Sequence, residues 1–368
     1  MESVNILSKL VGYKTDNDEK GINGCLKYVQ KTLNKYGWKT TLVKNEENNK
    51  QNLFAVLNGE LGNINDGLLL AGHIDTVTTS VDKWATNPLK LTKDGDNLYG
   101  LGVADMKAFT GAILSSLDKI NQLEIKKPIV IALTNDEETV MYSVNKVVSF
   151  MKENKILPQF AIIGEPSNMI FSTSNKGFYE FETVIHGKAC HSSAPQLGIN
   201  AIYIMSKLIS FIESLSKKYN KKGTTINVGT INGGTMCNVV ADKASIRWDV
   251  RTFIKEDLEE IIKQVNAYLE SLTKDYQGAS YTSDIVFKIP PFEYKQVETT
   301  NYLMNKYKIK ETPYAASTEA GFYQELGINC IIFGCGDIND CHAINEKINV
   351  NDYVKYQKLL LQFIKDIC

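Results

Sequence analysis

The sequence predicts an α/β protein in which helices cover a mostly parallel sheet and a smaller α+β domain is inserted. Three observations lead to this fold class. Short apolar strands alternate with helical stretches up to about residue 176, the order then changes to that of a ferredoxin-like unit, and the α/β pattern resumes near the end. The chain has 368 residues, 43% of them hydrophobic, which is enough for two cores. We predict a large domain at 1–176 and 289–368 and an insertion at 177–288.

The elements of the large domain follow from apolar periodicity. Short apolar runs predict strands at 68–71, 128–133, 159–163 and 330–333. Apolar residues at helical spacing predict helices at 22–36, 106–120, 140–151 and 352–367. Strands that alternate with helices indicate a mostly parallel sheet.

The insertion has the element order β-α-β-β-α-β, which is typical of ferredoxin-like domains. Alternating apolar residues predict strands at 178–185, 224–231, 239–251 and 283–288. Amphipathic helices are predicted between them at 200–217 and 256–273.

Composition excludes several functional classes. Forty-one basic and 42 acidic residues give a net charge of -1, so we expect neither nucleic acid nor an anionic membrane as a partner. The first twenty residues lack the long apolar run of a signal peptide or membrane span. Seven cysteines without a CxxC pair indicate reduced thiols, and we expect a cytoplasmic protein.

Ionisable residues follow three of the predicted strands. His73 and Asp75 lie in Gly-His-Ile-Asp, Glu137 and Glu138 in Asn-Asp-Glu-Glu, and Glu165 in Gly-Glu-Pro. The carboxyl ends of strands in an open α/β sheet face one crevice, so we expect these side chains to converge. Most acidic residues are solvated surface charges, but that alternative does not explain their joint placement at strand ends.

A fourth carboxylate, Asp105, lies in the glycine-rich segment Gly-Leu-Gly-Val-Ala-Asp. It occupies the place of the third glycine of a dinucleotide-binding motif, which excludes that motif, and the chain has no Walker A or HExxH sequence. Clustered carboxylates repel one another unless protons or cations neutralise them, so we expect two divalent ions. Nitrogen and oxygen donors suit zinc, cobalt or manganese.

Histidine ligands are few, because the chain has only four histidines. His342 also lies beyond a predicted strand end, whereas His186 ends an alternating strand and is read as a structural or surface residue. Cys190, Cys237 and Cys341 lie beside candidate site residues. A cysteine nucleophile is therefore an alternative, although free cysteine is usually a small buried hydrophobe.

In this order the acidic and histidine motifs resemble the metallopeptidase clan of aminoacylases, glutamate carboxypeptidases, succinyl-diaminopimelate desuccinylases and acetylornithine deacetylases. The resemblance implies a dinuclear hydrolase whose metal ligands are His73, Asp105, Glu138, Glu165 and His342. His73 and Glu165 would hold one ion, Glu138 and His342 the other, and Asp105 would bridge them.

The resemblance also implies catalytic roles for three further residues. Asp75 would orient His73, and Glu137 would be the general base towards water and return the proton to the leaving amine. The insertion would be a dimerisation domain and lid. His191, in Lys-Ala-Cys-His-Ser-Ser, matches a histidine that stabilises the oxyanion from the partner subunit, so we expect a homodimer.

Substrate contacts are suggested by three residues. Arg251 is one of only two arginines and matches a carboxylate-binding arginine of the family, although an ion pair with Asp249 is the alternative. Asn238 matches a family position that meets the substrate. Glu319 would either pair with the side-chain amine of the substrate or cap a helix.

Within the clan, Ser-Thr-Glu-Ala around Glu319 and the loop Gly-Cys-Gly-Asp-Ile-Asn-Asp-Cys-His are most similar to the acetylornithine deacetylases. The expected reaction is therefore hydrolysis of a small acyl amino acid, N-acetylornithine to ornithine and acetate, a step of arginine biosynthesis. Desuccinylation of succinyl-diaminopimelate, a broader aminoacylase or dipeptidase activity, and a non-catalytic binding homologue remain alternatives. Ala-Ile-Asn-Glu after His342 departs from relatives that have proline there.

Overall fold

The computed structural model describes residues 2–45, 49–60, 62–294 and 297–368. The chain divides into two compact units. The large unit consists of Met1–Ser174, Tyr294–Tyr314 and Thr318–Cys368, and the small unit of Asn175–Glu293 with Ala315–Ser317. The predicted insertion, 177–288, lies inside the range of the small unit.

Within the described ranges the chain forms ten α-helices. They are α1 Glu2–Val11, α2 Glu19–Lys35, α3 Ala108–Leu114, α4 Leu117–Ile120, α5 Tyr142–Glu153, α6 Ala201–Asn220, α7 Lys255–Asp275, α8 Glu298–Tyr307, α9 Ala320–Glu325 and α10 Val350–Ile367. Three of the long helices begin at a side-chain cap: Asp18, Asn200 and Asn349 each accept hydrogen bonds from amides of the first turn. Among the described residues no helix is both long and apolar enough to cross a membrane.

The same ranges contain seventeen strands. They are β1 Lys39–Lys44, β2 Gln51–Leu57, β3 Leu68–His73, β4 Thr92–Asp94, β5 Asn97–Tyr99, β6 Ile129–Thr134, β7 Phe160–Ile163, β8 Phe171–Ser172, β9 Ser174–Asn175, β10 Gly177–His186, β11 Thr225–Gly233, β12 Lys243–Thr252, β13 Ser280–Ile289, β14 Phe292–Glu293, β15 Glu311–Thr312, β16 Asn329–Ile332 and β17 Lys347–Asn349.

The large unit is built on an eight-stranded sheet with the order β1-β2-β6-β3-β7-β16-β8-β15. Its central strands β6, β3, β7 and β16 are parallel, whereas β1 and β2 add to one side in antiparallel fashion. Every residue of β3, β6 and β7 is buried, as expected for strands with helices on both faces. The parallel centre therefore has its carboxyl ends along one edge.

The small unit is a four-stranded antiparallel sheet with the order β11-β12-β10-β13, crossed by α6 and α7. Burial alternates along β10 and β12, so one face packs on the helices. Phe181 and Trp248 stack in this core with their ring centroids 4.3 Å apart. Together the two units confirm the predicted fold class, an α/β unit with a ferredoxin-like insertion.

Two predicted elements were wrong in extent. The helix predicted over 106–120 is divided, because Asp105 and Met106 have non-helical dihedral angles and α3 ends where the hydroxyls of Ser115 and Ser116 bond back to carbonyl groups. The strand predicted over 239–251 begins only at Lys243. The residues before it pair instead with the loop after β10, through a bond from Val240 N to Cys190 O of 2.9 Å.

Candidate metal centre

Three neighbouring strands end at the candidate site. His73 is the last residue of β3, Glu137 and Glu138 follow β6, and Glu165 follows β7. These strands are parallel neighbours in the order β6-β3-β7, so their carboxyl ends lie side by side. The predicted convergence of these four side chains follows directly from the sheet.

Glycines precede two of these residues because the segment after Asp105 packs against the strand ends. A side chain at Gly72 would meet the end of Met106, and one at Gly164 would overlap the ring of Phe109. Only glycine leaves room for this close approach. The local sequences Gly-His and Gly-Glu are thereby explained by packing.

Asp105 is carried by the turn Val103–Lys107 between β5 and α3. Gly102 enters this turn with a φ of 79°, a conformation that favours glycine, and the Asp105–Met106 peptide bond is cis. The Asp105 carboxylate lies between two imidazoles: its Oδ1 is 3.1 Å from His73 Nε2 and its Oδ2 is 3.2 Å from His342 Nε2. Each oxygen of one carboxylate therefore faces a different histidine.

The other carboxylates divide between the same two histidines. Glu138 Oε2 is 2.8 Å from His342 Nε2, and Glu165 Oε1 is 3.7 Å from His73 Nε2. Glu137 Oε2 is further away, 4.0 Å from His73 Nε2. Among the described residues, ligand atoms cluster in two sets that share His73, one with Glu137 and Glu165 and one with Asp105 and Glu138.

These spacings fit bound cations. Two ligands at 2.0–2.1 Å from a tetrahedral ion lie about 3.4 Å apart, and the contacts of His73 and His342 with Asp105, Glu138 and Glu165 range from 2.8 to 3.7 Å. The donors are imidazole nitrogens and carboxylate oxygens, which suit zinc, cobalt or manganese. The residues present can hold two divalent ions.

The pKa values of the carboxylates also indicate a site that favours bound cations. Burial raises the pKa of Glu165 to about 8, and the nearby charges of Asp105 and Glu138 add to the shift. Burial also raises the pKa of Glu137 well above its usual value, with Glu165 next in importance. Burial opposes ionisation of Asp105, but its hydrogen bonds with His342 and His73 hold its pKa well below the usual range.

The histidines hold protons when no cation is present. Hydrogen bonds to Asp105 and Glu138 raise the pKa of His342 to about 10. Burial disfavours protonation of His73, yet its hydrogen bonds to Asp105 and Asp75 and the charge of Glu165 raise its pKa well above the usual value. Protons thus occupy the places in which cations would bind.

Asp75 contacts the site in two ways. His73 Nδ1 lies 3.0 Å from the main-chain oxygen of Asp75 and 3.5 Å from its Oδ1, so the main-chain oxygen is the nearer acceptor. Asp75 Oδ2 accepts a hydrogen bond of 3.0 Å from the amide of Glu138. A proton on Nδ1 leaves Nε2 free to bind a cation, and the carboxylate holds the segment with Glu137 and Glu138.

His191 and Asn238 lie together in the small unit. The amide of Ser192 donates to Asn238 O at 3.0 Å, and His191 pairs with Val239 in an isolated antiparallel bridge. His191 Nδ1 is 2.7 Å from Ser193 Oγ, and the side chains of both His191 and Asn238 are exposed. The structure thus places these two predicted residues on two paired, exposed loops, the loop after β10 and the segment before β12, which together are called the loop pair.

Arg251 lies on β12 with its side chain half-exposed. Its guanidinium lies 3.5 Å from Asp249 Oδ1 and stacks over the ring of Phe178 at 4.3 Å from the ring centroid. The ion pair considered from the sequence is therefore present, and the stacked, charged group is still open to solvent on one side.

Glu319 departs from its sequence prediction. It is only 1% exposed, and neither carboxylate oxygen makes a well-formed hydrogen bond. Burial raises its pKa to about 7. It does not cap α9 either, since the amide of Ala320 bonds to Thr318 Oγ1 instead. The helix-cap role is therefore wrong, whereas the pairing of Glu319 with the side-chain amine of the substrate stays a prediction.

The thiols give no support to a cysteine nucleophile. All seven cysteines are free. Burial raises the pKa of Cys341, beside His342, far above its usual value, and the charge of Asp105 adds to this. Cys190 Sγ donates to Ala194 O at 3.3 Å. A protonated thiol is a poor nucleophile, so Cys341 is not suited to covalent catalysis.

Two buried charged residues beside the centre were missed by the sequence analysis. Lys107, 1% exposed, donates through Nζ to Tyr13 O at 3.1 Å. Glu346, also 1% exposed, accepts hydrogen bonds from the turn that carries Asp105. The only signal for them was their short distance in sequence from Asp105 and His342, which does not by itself indicate burial.

Comparisons with known proteins agree with this geometry. Residues 173–277 match the family described as the peptidase dimerisation domain. The chain is 32% identical over 337 residues to an acetylornithine deacetylase of Buchnera aphidicola, covering 89% of this chain and 86% of that protein. It is also 32% identical over 333 residues to an acetylornithine deacetylase of Shigella sonnei, covering 87% and 84%.

Solved structures share the fold at lower identity. An aminopeptidase of Bacillus cereus superposes with a TM-score of 0.77 at 20% identity, covering 100% of this chain and 98% of that chain. A dinuclear metal-binding peptidase of the M20 family from Bacillus subtilis superposes with a TM-score of 0.72 at 15% identity, covering 99% and 97%. At these identities the likeness concerns the fold alone.

Because Glu165 and His342 have pKa values of about 8 and about 10, both carry a proton at pH 7 in the metal-free protein. Each must lose that proton to bind a cation, so Zn²⁺ binding should release protons and its apparent affinity should rise between about pH 6 and pH 8. Titration calorimetry in buffers of different ionisation enthalpy measures the release. The variant His342→Gln lacks one of these protons and should release fewer protons than the wild type when Zn²⁺ binds. Equal heats in all buffers would contradict this expectation.

Proposed function

The chain belongs to the M20 family of dinuclear metallohydrolases, of the acetylornithine deacetylase and succinyl-diaminopimelate desuccinylase type, and we propose that it hydrolyses N-acetylornithine to ornithine and acetate. The family resemblance read from the sequence motifs is confirmed by relatives at 32% identity over most of the chain. The prediction of a metal-dependent amidohydrolase is confirmed with it. The choice of substrate is supported by the names of those relatives.

The observation that carries the proposal is the position of Asp105 between two histidines. With one oxygen 3.1 Å from His73 and the other 3.2 Å from His342, this carboxylate is suited to be shared by two ions. We assign His73 and Glu165 to one ion and Glu138 and His342 to the other. Each pair lies closer, at 3.7 and 2.8 Å, than Glu137 lies to His73, at 4.0 Å. Zinc is the proposed metal, and cobalt or manganese would suit the same donors.

Two bound ions would polarise the acyl carbonyl of the substrate and make an attacking water more acidic. Glu137 is the proposed general base: it takes the proton of that water as the new carbon–oxygen bond forms. It then gives the proton to the amine nitrogen as the carbon–nitrogen bond breaks. Two features support this role, namely the long distance of 4.0 Å to His73 and a pKa raised by burial, which allows the carboxyl to hold a proton.

Arg251 is the proposed contact for the substrate carboxylate. Its guanidinium is half-exposed and held in place by Phe178 and Asp249. A planar guanidinium can bind a carboxylate through two parallel hydrogen bonds, which a lysine cannot do. Asp249 would share the guanidinium with the substrate.

The distance between Arg251 and His191 within the small unit supports a dimeric enzyme. At about 3.3 Å per residue, β12 spans roughly 26 Å between Lys243 and Arg251, and the loop pair of His191 and Asn238 lies beyond the Lys243 end. An acyl amino acid is shorter than about three extended residues, roughly 11 Å. One substrate therefore cannot contact Arg251 and His191 of the same chain, and we propose that the partner subunit's His191 stabilises the oxyanion.

The surface proposed for this dimer is the outer strand of the small sheet. β11 is an edge strand with mostly exposed residues, and Ile231 on it is 57% exposed. Tyr203 on α6 and Met236 after β11 are exposed by 65% and 70%. An edge strand, paired on one side only within the described residues and flanked by exposed apolar side chains, is suited to pairing with a second copy. The homodimer is further supported by the match of residues 173–277 to a dimerisation domain.

We place the reaction in the cytoplasm, in arginine biosynthesis. The location is supported by the seven free thiols, because disulfides are rare in reducing compartments. The pathway follows from the proposed substrate alone.

Hydrolysis of N-acetylornithine is the first test. The purified protein should release ornithine with added Zn²⁺ or Co²⁺, and a chelator should abolish the activity because the ions polarise the carbonyl. N-succinyl-diaminopimelate, N-acetylmethionine and a dipeptide serve as comparison substrates in steady-state assays. A higher kcat/KM for one of these than for N-acetylornithine would replace the proposed substrate.

Glu137→Gln should lower kcat on the order of 10²- to 10⁴-fold, since the amide cannot transfer the proton. The variant should still bind two metal ions, as measured by elemental analysis. Asp105→Asn is the matched comparison and should lose metal as well as activity, because Asp105 is the shared ligand. A fully active Glu137→Gln enzyme would remove the proposed base.

Mixed dimers test the role of His191. A dimer of one His191→Ala chain and one Glu137→Gln chain, isolated through two affinity tags, contains one intact site if His191 acts across the interface. It should recover about half of wild-type activity, because a two-fold dimer has two equivalent sites. Both parent homodimers should be nearly inactive. If His191 acts within its own chain, the mixed dimer will be as inactive as its parents.

A further inference from the structure

Glu346 accepts hydrogen bonds from several main-chain amides of the turn that carries Asp105. Its Oε2 accepts a hydrogen bond from Gly102 N at 2.7 Å, and its Oε1 accepts from Ala104 N at 2.7 Å and from Asp105 N at 3.0 Å. Its main-chain oxygen accepts from Gly100 N at 3.1 Å. One buried residue therefore binds four amides within six residues of chain.

This arrangement compensates for the irregular backbone of the turn. Gly102 has a positive φ and Asp105 has non-helical angles, so these amides have no place in the bonding pattern of a helix or a strand. Buried amides need an acceptor, and converging N–H groups favour a negatively charged one. A carboxylate with two oxygens can accept from all three amides at once, which a side-chain amide cannot do.

Glu346 also joins two segments that are distant in sequence. It follows His342 by four residues and contacts the turn around Asp105, 241 positions earlier in the chain. Asp105 is in turn 3.2 Å from His342. The main chain of one candidate ligand is thus tied to the segment that provides another.

We propose that Glu346 is a positioning residue for the metal centre, fixing the turn around Asp105 so that one carboxylate oxygen faces each histidine. This inference rests on the metal assignment proposed for Asp105 and His342. Glu346 is not a ligand itself, because its oxygens are used by the three amides and lie outside the ligand clusters found among the described residues. Its effect on the reaction passes through Asp105.

The test is the replacement Glu346→Gln, with Glu325→Gln as the matched control. The amide keeps the shape of the side chain, but its NH₂ group would face at least one main-chain N–H, leaving a buried donor unpaired. Glu325 is an exposed carboxylate at the end of α9, so the control makes the same chemical change away from the centre. Metal-free full-length proteins are titrated with Co²⁺ and followed by visible absorption and by competition with a chromogenic chelator.

For Glu346→Gln we expect the affinity for cobalt to fall about 10- to 100-fold, the usual cost of losing a residue that orients a ligand. The visible spectrum should change, and kcat should fall with little change in KM. Glu325→Gln should match the wild type in all of these. Wild-type cobalt affinity and spectrum in Glu346→Gln would overturn the proposal.

Glu346→Asp decides the case if the glutamine variant does not fold. Aspartate keeps the charge and both acceptors on a shorter side chain, so weaker cobalt binding with an unchanged melting temperature of the metal-free protein supports positioning. Unchanged cobalt binding in a folded Glu346→Asp protein overturns it. Cobalt binding is measured without substrate. A wild-type protein that binds cobalt but does not hydrolyse N-acetylornithine therefore contradicts the proposed substrate and leaves this inference standing. A wild type that binds no cobalt contradicts the metal assignment and this inference together.

Discussion

The centre depends on how several carboxylates can share a small buried space. Glu137, Glu138 and Glu165 follow neighbouring strands, and Asp105 reaches them from a separate turn. Without positive charge they repel one another, and the raised pKa values of the glutamates record that repulsion together with burial. Imidazoles on either side of Asp105 supply part of the compensation, and the proposed divalent ions would supply the rest. The sheet, the close packing at its strand ends and the anchored turn all serve to hold these like charges together.

Sequence reasoning was most successful where a strand ended. The apolar runs before His73, Glu138 and Glu165 are short and buried throughout, so both their position and the direction of their carboxyl ends could be predicted. The backbone conformation around Asp105 could not be predicted, because the apolar periodicity continues through the break in the helix. The burial of Glu319 was also missed: an acidic residue between small residues has the same local sequence on a surface and in a core. Hydrogen bonds that a carboxylate accepts from main-chain amides, as at Glu346, leave no pattern in the sequence at all.

The small unit keeps two groups of polar residues apart. Its sheet packs on helices through a core that contains the stacked pair Phe181 and Trp248. The strand β12 carries Arg251 near one end and begins close to the loop of Asn238 at the other. Most of the length of β12 therefore separates Arg251 from the loop of Asn238. In the proposed homodimer, two-fold symmetry could bring opposite ends of the two small units together, so that one small substrate would contact both chains.

The two histidines of the centre differ greatly in burial. His73 is 1% exposed, whereas the side chain of His342 is 55% exposed. An ion bound by His73 would lie beside a buried imidazole, whereas one bound by His342 would lie beside an imidazole that solvent reaches. Water and chelators would therefore reach an ion on the His342 side more readily than one on the His73 side.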